Sequence, residues 1–355
     1  MINTGRFLAV LLGLLVAGTA VAALSPEQRR ERTLKPYVNQ VTADWNARKT
    51  GSGIIVIGAA DSIRAMSANG LGSTSGEEYA AIANDYKRTF GDKVNVYCMP
   101  IPTASAYYTP TAAQEWSRPQ YRVINNIFAH LSDSVMAVDI YTTLGEHAAE
   151  PIYLRTDHHW APKGAFYAAR KFAQVARVPF MNLSYYEERI VADFVGTMYN
   201  YSKDVNVKRN PEDFVYYVPC DIDYTTTHYT YTLGGKNRVT ATKGPEECEF
   251  FREYKDGSGA AYCTFMGGDT NTTHVHTATR NGRRLLILKD SFGNALPGYL
   301  FYSFEDIHVV DCRYFTMNLV KYVQENRITD ILLANNLSHA CMPATTKAYS
   351  RYLVQ

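Results

Sequence analysis

Two short segments of this 355-residue chain carry the residue types of a nucleophilic active site. The segment Thr156-Asp157-His158-His159-Trp160 sets two imidazoles beside a carboxylate, and the apolar run from Leu285 leads straight into Asp290-Ser291. In such a set His159 would take a proton from a hydroxyl, while Asp157 would fix its tautomer and stabilise the imidazolium. Ser291, between a strand and a helix, would lie beside backbone N–H groups that stabilise negative charge. The pattern predicts a triad of Ser291, His159 and Asp157.

Both segments also have other interpretations. Asp290 or Ser291 is a common type of helix N-cap, and an aspartate with two histidines is typical of caps and of metal sites. A metal site would recruit His274 and His276, whose imidazoles share one face of an extended segment, together with Asp157 and His158. An ordinary exposed loop is the other interpretation of those two histidines.

Ser62 is a rival nucleophile. It follows the apolar run Ile54–Ile57 in a Gly58-Ala59-Ala60-Asp61-Ser62 segment that resembles a nucleophile block. No Asp-x-x-His follows it near the C-terminus, because His339 is preceded by Asn336 at that spacing. A turn at the exit of the first strand is the alternative interpretation of Ser62.

Strands that alternate with helices would position these segments. Short apolar runs predict buried strands at Ile54–Gly58, Val94–Tyr97, Val135–Tyr141, Leu285–Leu288, Ile307–Val310 and Ile331–Leu333. Helical spacing and caps predict helices over Tyr79–Phe90, Ile124–Leu131, Pro162–Ala176, Gly293–Tyr302 and Met317–Glu325. This alternation indicates an α/β fold with a mostly parallel sheet, whose crevice lies beyond the carboxyl ends of the strands. From about 183 to 281 helical periodicity disappears and Tyr and Thr accumulate, which predicts a β-rich, loop-rich insertion.

The N-terminus indicates export. An apolar run from Phe7 to Leu24 ends in Ala20-Val21-Ala22, which predicts a signal peptide over residues 1–22. The alternative is an uncleaved anchor that would tether the protein to a membrane, because the run approaches the length of a bilayer span. In an exported protein, cysteines can pair. We therefore expect at least one disulfide among Cys220, Cys248 and Cys263, which share one segment with few apolar residues.

Composition narrows the classes of partner. The chain has 36 basic and 34 acidic residues, a formal net charge of +2, and this balance gives no reason to expect nucleic acid as a partner. A hydrophobic content of 46% fits a globular protein. The 27 tyrosines against 3 tryptophans favour an aromatic surface able to hydrogen-bond polar ligands, although strand propensity explains them equally well.

Taken together, the two segments resemble a family of exported bacterial proteins named after its Asp-His-His-Trp signature. That family is related to the SGNH-hydrolase-like domains of alginate O-acetyltransferases. The resemblance runs from about Ile54 to the C-terminus and rests on the tetrad and the Lys289–Asn294 block. Supporting segments are Leu144-x-x-His147, Pro211–Pro219 and Ile307–Phe315.

The resemblance implies a three-layer, circularly permuted SGNH-like fold over residues 35–355, with the Asp-x-His element ahead of the serine. It maps Asp157, His159 and Ser291 onto the catalytic set. His158 is the extra residue of the tetrad, either a support for that set or the base itself. Arg313, Tyr314, Asn294 and Asn336 are candidate substrate-binding residues, with Asn335 or Asn336 as an oxyanion donor. No cofactor or metal is implied.

The function we expect is that of a serine-dependent O-acetyltransferase or esterase acting on cell-surface or extracellular carbohydrate, with Tyr199, Tyr201, Tyr216 and Tyr217 as a sugar-stacking wall. The acyl donor cannot be deduced. A non-catalytic carbohydrate-binding protein on the same fold is the main alternative, and a metal-dependent hydrolase is a third.

Overall fold

The computed structural model describes residues 33–354, so the predicted signal peptide lies outside the described residues. The strands are β1 (Ala47–Lys49), β2 (Ile54–Ile57), β3 (Arg64–Ser67), β4 (Asn95–Cys98), β5 (Val135–Ala137), β6 (Tyr186–Phe194), β7 (Glu212–Pro219), β8 (Tyr224–Leu233), β9 (Val239–Glu247), β10 (Asn271–Thr277), β11 (Arg284–Lys289), β12 (Asp306–Asp311) and β13 (Asp330–Ala334). The α-helices are α1 (Glu77–Phe90), α2 (Ser105–Tyr108), α3 (Gln120–Ala129), α4 (Ile140–Glu146), α5 (Pro162–Ala176), α6 (Met198–Ser202), α7 (Val205–Arg209), α8 (Leu319–Glu325), α9 (Leu337–Ala340) and α10 (Pro343–Tyr352). None of these helices is long and apolar enough to cross a membrane.

One eight-stranded sheet organises the molecule, in the order β5-β4-β13-β11-β12-β10-β8-β9. The first five strands pair in parallel and the last three extend the sheet in antiparallel fashion. The parallel strands are buried on both faces, which explains their continuous apolar runs. The predicted α/β class with a large, mostly parallel sheet is therefore confirmed.

The register of the central strands brings their carboxyl ends to one edge. Lys289 at the end of β11 lies opposite Asp311 of β12 and Ala334 of β13. The loops that begin with Asp290, Cys312 and Asn335 consequently leave the sheet side by side. This edge is where a parallel sheet carries its functional crevice.

Three predicted elements differ from the structure. The strand at Ile54–Ile57 belongs to a separate three-stranded antiparallel sheet, β1-β2-β3, rather than to the parallel one. The strand from Val135 ends at Ala137, because Asp139 caps α4 by accepting a hydrogen bond from the Thr142 amide. The predicted helix over Gly293–Tyr302 is two short 3₁₀ helices, Ser291–Ala295 and Pro297–Leu300, since Pro297 has no N–H to continue a helical ladder.

Residues 183–281 contain five strands and only short helices, as the composition predicts. Strands β6 and β7 pair as a separate two-stranded ribbon, whereas β8, β9 and β10 continue the main sheet. The segment thus builds part of the central sheet itself, and part of the site.

The disulfide prediction is wrong. All six cysteines are free, including Cys220, Cys248 and Cys263. The reasoning assumed that this segment has too few apolar contacts to hold itself together. Instead Phe250, Phe251 and their neighbours Phe265 and Phe301 pack edge to face in the main core, which stabilises the segment without a covalent link.

Candidate active site

The structure brings Ser291, His159 and Asp157 together at the carboxyl edge of the sheet. Nε2 of His159 lies 2.8 Å from Ser291 Oγ, and Nδ1 of His159 lies 2.6 Å from Asp157 Oδ1. Because the ionised carboxylate only accepts, Nδ1 carries the proton and Nε2 accepts from the serine hydroxyl. The geometry is that of a nucleophile, a general base and an orienting acid.

Asp157 is buried and held from several sides. Thr197 donates both its amide and its hydroxyl to Oδ2, each at 2.8 Å. Burial acts to raise the pKa of Asp157, but His159, His158 and the Thr197 amide outweigh it and keep the pKa well below its ordinary value. A methyl group on Gly196 would lie 2.3 Å from the Asp157 Cβ, so only a residue without a side chain leaves room for Asp157 at this position.

The chain just before Asp157 is fixed by Glu212. Its carboxylate accepts from the amides of Arg155 and Thr156 at 2.6–2.8 Å, and from the Thr156 hydroxyl at 2.7 Å. Glu212 begins β7, within one of the segments that support the family resemblance. It links the β6–β7 ribbon to the loop that carries Asp157 and His159.

The imidazole of His159 lies between two rings. The His158 ring is 3.7 Å away between centroids, and the Tyr262 ring is 3.9 Å away and nearly parallel. Two rings at this separation cannot share one face of an imidazole, so they cover opposite faces. The Tyr262 hydroxyl and the Trp160 indole N–H both donate to the Phe292 carbonyl, at 3.1 and 2.8 Å, which connects the base to the serine loop.

Asp290, rather than Ser291, is the N-cap of the turn after β11. Its Oδ1 accepts from the Phe292 amide at 2.9 Å, and its Oδ2 accepts from the amide and side chain of Asn336 at 2.7 and 3.0 Å. The Gly293 amide donates to the Asp290 carbonyl. No backbone carbonyl outside its own short helix accepts from the Ser291 amide in the part of the chain described, so this amide is available to an oxyanion.

Four charged side chains that pair with one another lie next to the serine loop. Lys289 is fully buried, and its Nζ lies 3.0 Å from Asp311 and 3.5 Å from Asp269. Arg313 reaches the same two carboxylates, at 2.6 and 2.8 Å. Burial acts to raise the pKa of Asp269, but Lys289 and Arg313 outweigh it and the pKa lies well below its ordinary value. Two cations therefore balance two anions, and the Arg313 charge is already neutralised.

These contacts change the interpretation of the four candidate substrate-binding residues. Arg313 lines the cleft but is engaged by carboxylates, and Tyr314 lies in the adjoining cavity. Asn294 is buried and donates to Asp269 at 2.8 Å. Asn336 lines the cleft while it holds Asp290 and caps α9. Asn335 is buried, its Oδ1 accepts from the hydroxyls of Tyr79 and Tyr349, and it does not line the cleft.

The triad opens into a cleft of about 460 Å³. Its walls include His158, Tyr201, Asp269 and His339. Of the four tyrosines expected to form a sugar-binding wall, Tyr201 lines the cleft and is 49% exposed. Tyr216 and Tyr217 are buried and Tyr199 packs against a small cluster with Met198, so the predicted wall reduces to one ring.

The metal hypothesis is not supported by the positions of its ligands. His274 Nε2 and His276 Nδ1 both bond to Asp306 Oδ1, at 2.8 and 2.9 Å. Asp306 is the first residue of β12, so it lies at the amino-terminal end of the parallel strands, whereas Ser291 lies at their carboxyl end. Asp157, His158 and His159 form the one group of three close potential ligands in residues 33–354. However, two ligands of a tetrahedral zinc lie roughly 3.3 Å apart, so the 2.6 Å contact between His159 Nδ1 and Asp157 Oδ1 fits a hydrogen bond.

The rival serine lies in a turn. Ser62 Oγ donates to the Ala59 carbonyl at 2.6 Å within the 3₁₀ turn Ala60–Ser62. Within residues 33–354 its hydroxyl bonds only to the backbone of Ala59, and it does not line the cleft. Its contacts are those of a turn residue.

Sequence reasoning missed Thr197, Tyr262 and Asp269, which all lie in the 183–281 segment. None is in a motif, since each contributes through a contact made across the fold. His339 was considered only as a failed partner of Ser62, yet its Nδ1 lies 3.4 Å from Asp290 Oδ2 and its ring lines the cleft.

Solved structures of other proteins share this fold, although no curated protein matches the chain. A DHHW family protein from Eubacterium siraeum is 36% identical, with 86% of this chain and 97% of that chain covered and a TM-score of 0.77. Bacillus cereus PatB1, solved with a sulfonyl adduct, is 17% identical over 84% of this chain and 99% of that one, with a TM-score of 0.61, and thus shares the fold. The family model described as DHHW protein matches residues 39–310. The family expected from the Asp-His-His-Trp motif is confirmed, and this chain belongs to the DHHW family.

Proposed function

We propose that this protein is an exported, serine-dependent O-acyltransferase or esterase that acts on carbohydrate. The observation that carries the proposal is the continuous hydrogen-bond chain from Ser291 Oγ through His159 to Asp157, with steps of 2.8 and 2.6 Å. Such a chain activates a hydroxyl that is otherwise a weak nucleophile.

The first half-reaction forms an acyl-enzyme. Ser291 Oγ attacks the carbonyl carbon of an ester while its proton passes to His159 Nε2. The Ser291 amide donates to the oxyanion. As the tetrahedral intermediate collapses, the bond to the leaving alcohol breaks and His159 returns the proton to that alcohol's oxygen. Asp157 stays ionised and stabilises the imidazolium throughout.

In the second half-reaction a sugar hydroxyl or water attacks the acyl-enzyme. Its proton passes to His159, and Ser291 Oγ leaves and recovers that proton. Tyr201 offers an exposed aromatic face beside the triad, which suits the apolar face of a sugar ring. The resemblance to the alginate O-acetyltransferases favours acetyl as the acyl group.

The proposal includes the organisation of the chain. We infer a signal peptide over residues 1–22 and one SGNH-like domain from residue 35, with residues 183–281 as its insertion. The order of Asp157, His159 and Ser291 along the chain suits a circularly permuted SGNH arrangement.

Covalent labelling tests the nucleophile without knowledge of the substrate. The protein is treated with phenylmethanesulfonyl fluoride. The serine oxygen attacks the sulfur of this reagent and fluoride leaves, and the adduct is then located by peptide mass spectrometry. PatB1 has been solved with a sulfonyl adduct, which makes this reagent a suitable choice. We expect one adduct on Ser291, loss of aryl acetate hydrolysis in step with labelling, and no adduct in Ser291→Ala. An adduct on Ser62 would overturn the assignment.

Two other outcomes correspond to the alternatives. Absence of both labelling and aryl acetate turnover in a folded protein that still binds oligosaccharides would favour a non-catalytic binding protein. Loss of activity on treatment with a chelator, with no sulfonyl adduct, would favour a metal-dependent hydrolase.

A further inference from the structure

The extra imidazole of the tetrad, His158, has a defined tautomer. Its Nδ1 lies 2.6 Å from the Thr197 hydroxyl oxygen. That hydroxyl has a single proton, which it donates to the Asp157 carboxylate at 2.8 Å. Thr197 can therefore only accept from His158, so His158 carries its proton on Nδ1 and an unshared lone pair on Nε2.

The lone pair of His158 opens into the cleft. Nε2 has no hydrogen-bond partner in residues 33–354 and is not among the buried polar atoms left without one. The His158 side chain lines the cleft and is 29% exposed. Burial, together with the neighbouring His159, lowers the pKa of His158 to about 4, so the ring stays neutral near pH 7.

His159 offers a second lone pair beside the first. Its Nδ1 is committed to Asp157, so once Ser291 is acylated and the leaving alcohol has gone, Nε2 is an acceptor with no donor. The centroids of the two rings lie 3.7 Å apart, and the ring planes are tilted by 38°. The acyl-enzyme thus presents two adjacent hydrogen-bond acceptors to whatever enters next.

We propose that the paired imidazoles recognise two neighbouring hydroxyls of the acceptor, a vicinal diol of the kind that sugars carry. His159 Nε2 takes the proton of the attacking hydroxyl, whose oxygen forms the new ester bond as the bond to Ser291 Oγ breaks. His158 Nε2 accepts a hydrogen bond from the adjacent hydroxyl, which keeps its proton. This inference rests on the proposed function, because it needs the acyl-enzyme.

The test uses two acceptors that differ by one hydroxyl, cis-cyclohexane-1,2-diol and cyclohexanol, with 4-nitrophenyl acetate as the acyl donor. Release of nitrophenolate reports the first half-reaction, and formation of the acetylated alcohol reports the second. We expect wild type to acetylate the diol about 3- to 10-fold faster than cyclohexanol, per hydroxyl group. This ratio corresponds to the contribution of one neutral hydrogen bond.

Two substitutions distinguish the role of Nδ1 of His158 from that of Nε2. His158→Asn places an amide donor near the Nδ1 position and has nothing at Nε2, whereas His158→Gln places an amide oxygen near Nε2. We expect the His158→Asn variant to lose the diol preference, with a ratio near 1, and the His158→Gln variant to retain most of it. His130→Asn, at an exposed histidine outside the site, is the matched control and should behave as wild type.

A purely structural role would give the reverse pattern, because the bond to Thr197 would then matter most: His158→Asn would keep the preference and His158→Gln would lose it. That result, or a wild type with no diol preference, overturns the inference. Failure of the proposed function is distinguishable, since wild type would then show neither nitrophenolate release nor sulfonyl labelling.

Discussion

One added methyl group at Gly196 should disable the site, because the three atoms nearest to it all belong to Asp157. A Cβ there would lie 2.3 Å from Asp157 Cβ and 2.4 Å from Oδ2, whereas ordinary contact begins at 3.4 Å. Asp157 must therefore move by about 1 Å. A shift of that size directed away from His159 would take the 2.6 Å contact beyond hydrogen-bond range.

The expected result for Gly196→Ala is a fall in kcat of about 100-fold with KM little changed, because a 1 Å misplacement of a catalytic group costs about that much. Overpacking should lower the free energy of unfolding by about 1–3 kcal/mol. The assay is aryl acetate turnover, with the rate of sulfonyl labelling as a second readout and thermal melting as the check on folding.

Gly70→Ala provides the matched control, since a methyl group there meets nothing within 4 Å. It should leave turnover, labelling and melting near wild type. If Gly196→Ala melts near wild type and keeps turnover within about threefold, Asp157 does not need its observed position and the reasoning is refuted.

Ser291→Ala should reduce turnover by about a thousandfold or more and barely change the melting temperature, because Asp290 is the cap; a large drop in melting temperature would contradict this assignment. Lys289→Met should lower the free energy of unfolding, measured in urea, by about 3–5 kcal/mol, since it removes a cation from the buried Asp311; a change below about 1 kcal/mol would show that Arg313 suffices. Burial, with nearby His274, lowers the pKa of His308 to about 3. Below about pH 6.5 the unfolded chain therefore binds a proton at this residue that the folded chain does not bind. The free energy of unfolding consequently falls as the pH falls. This residue should contribute a loss of roughly 2 kcal/mol between pH 7 and pH 5, which His308→Gln should abolish in pH-dependent urea unfolding.

The triad was predictable because its members lie in compact local patterns. A strand that runs into Asp290-Ser291 and a histidine two residues after an acid both leave marks in the sequence. The central strands were predictable for a related reason, since burial on both faces leaves continuous apolar runs such as Leu285–Leu288.

The supports of the triad were not predictable in the same way. Thr197 and Tyr262 act through contacts with residues 40 and about 100 positions earlier, and threonine and tyrosine are too common to indicate such roles. Arg313 shows the opposite error. An arginine past a strand end is typical of an anion site, but only the fold reveals that Asp269 and Asp311 already neutralise it.

The rings on both faces of His159 restrict how the site can work. The His158 and Tyr262 rings leave the His159 imidazole no room to rotate out of its plane, so its Nε2 faces one position in the cleft. In the proposed mechanism the departing oxygen and the attacking oxygen must therefore occupy the same place in turn, in front of Nε2 of His159. The acyl donor and the acceptor then cannot be bound there together. Double-reciprocal plots of initial rate against donor concentration, at several fixed acceptor concentrations, should therefore give parallel lines. The alcohol released in the first half should compete directly with the acceptor of the second.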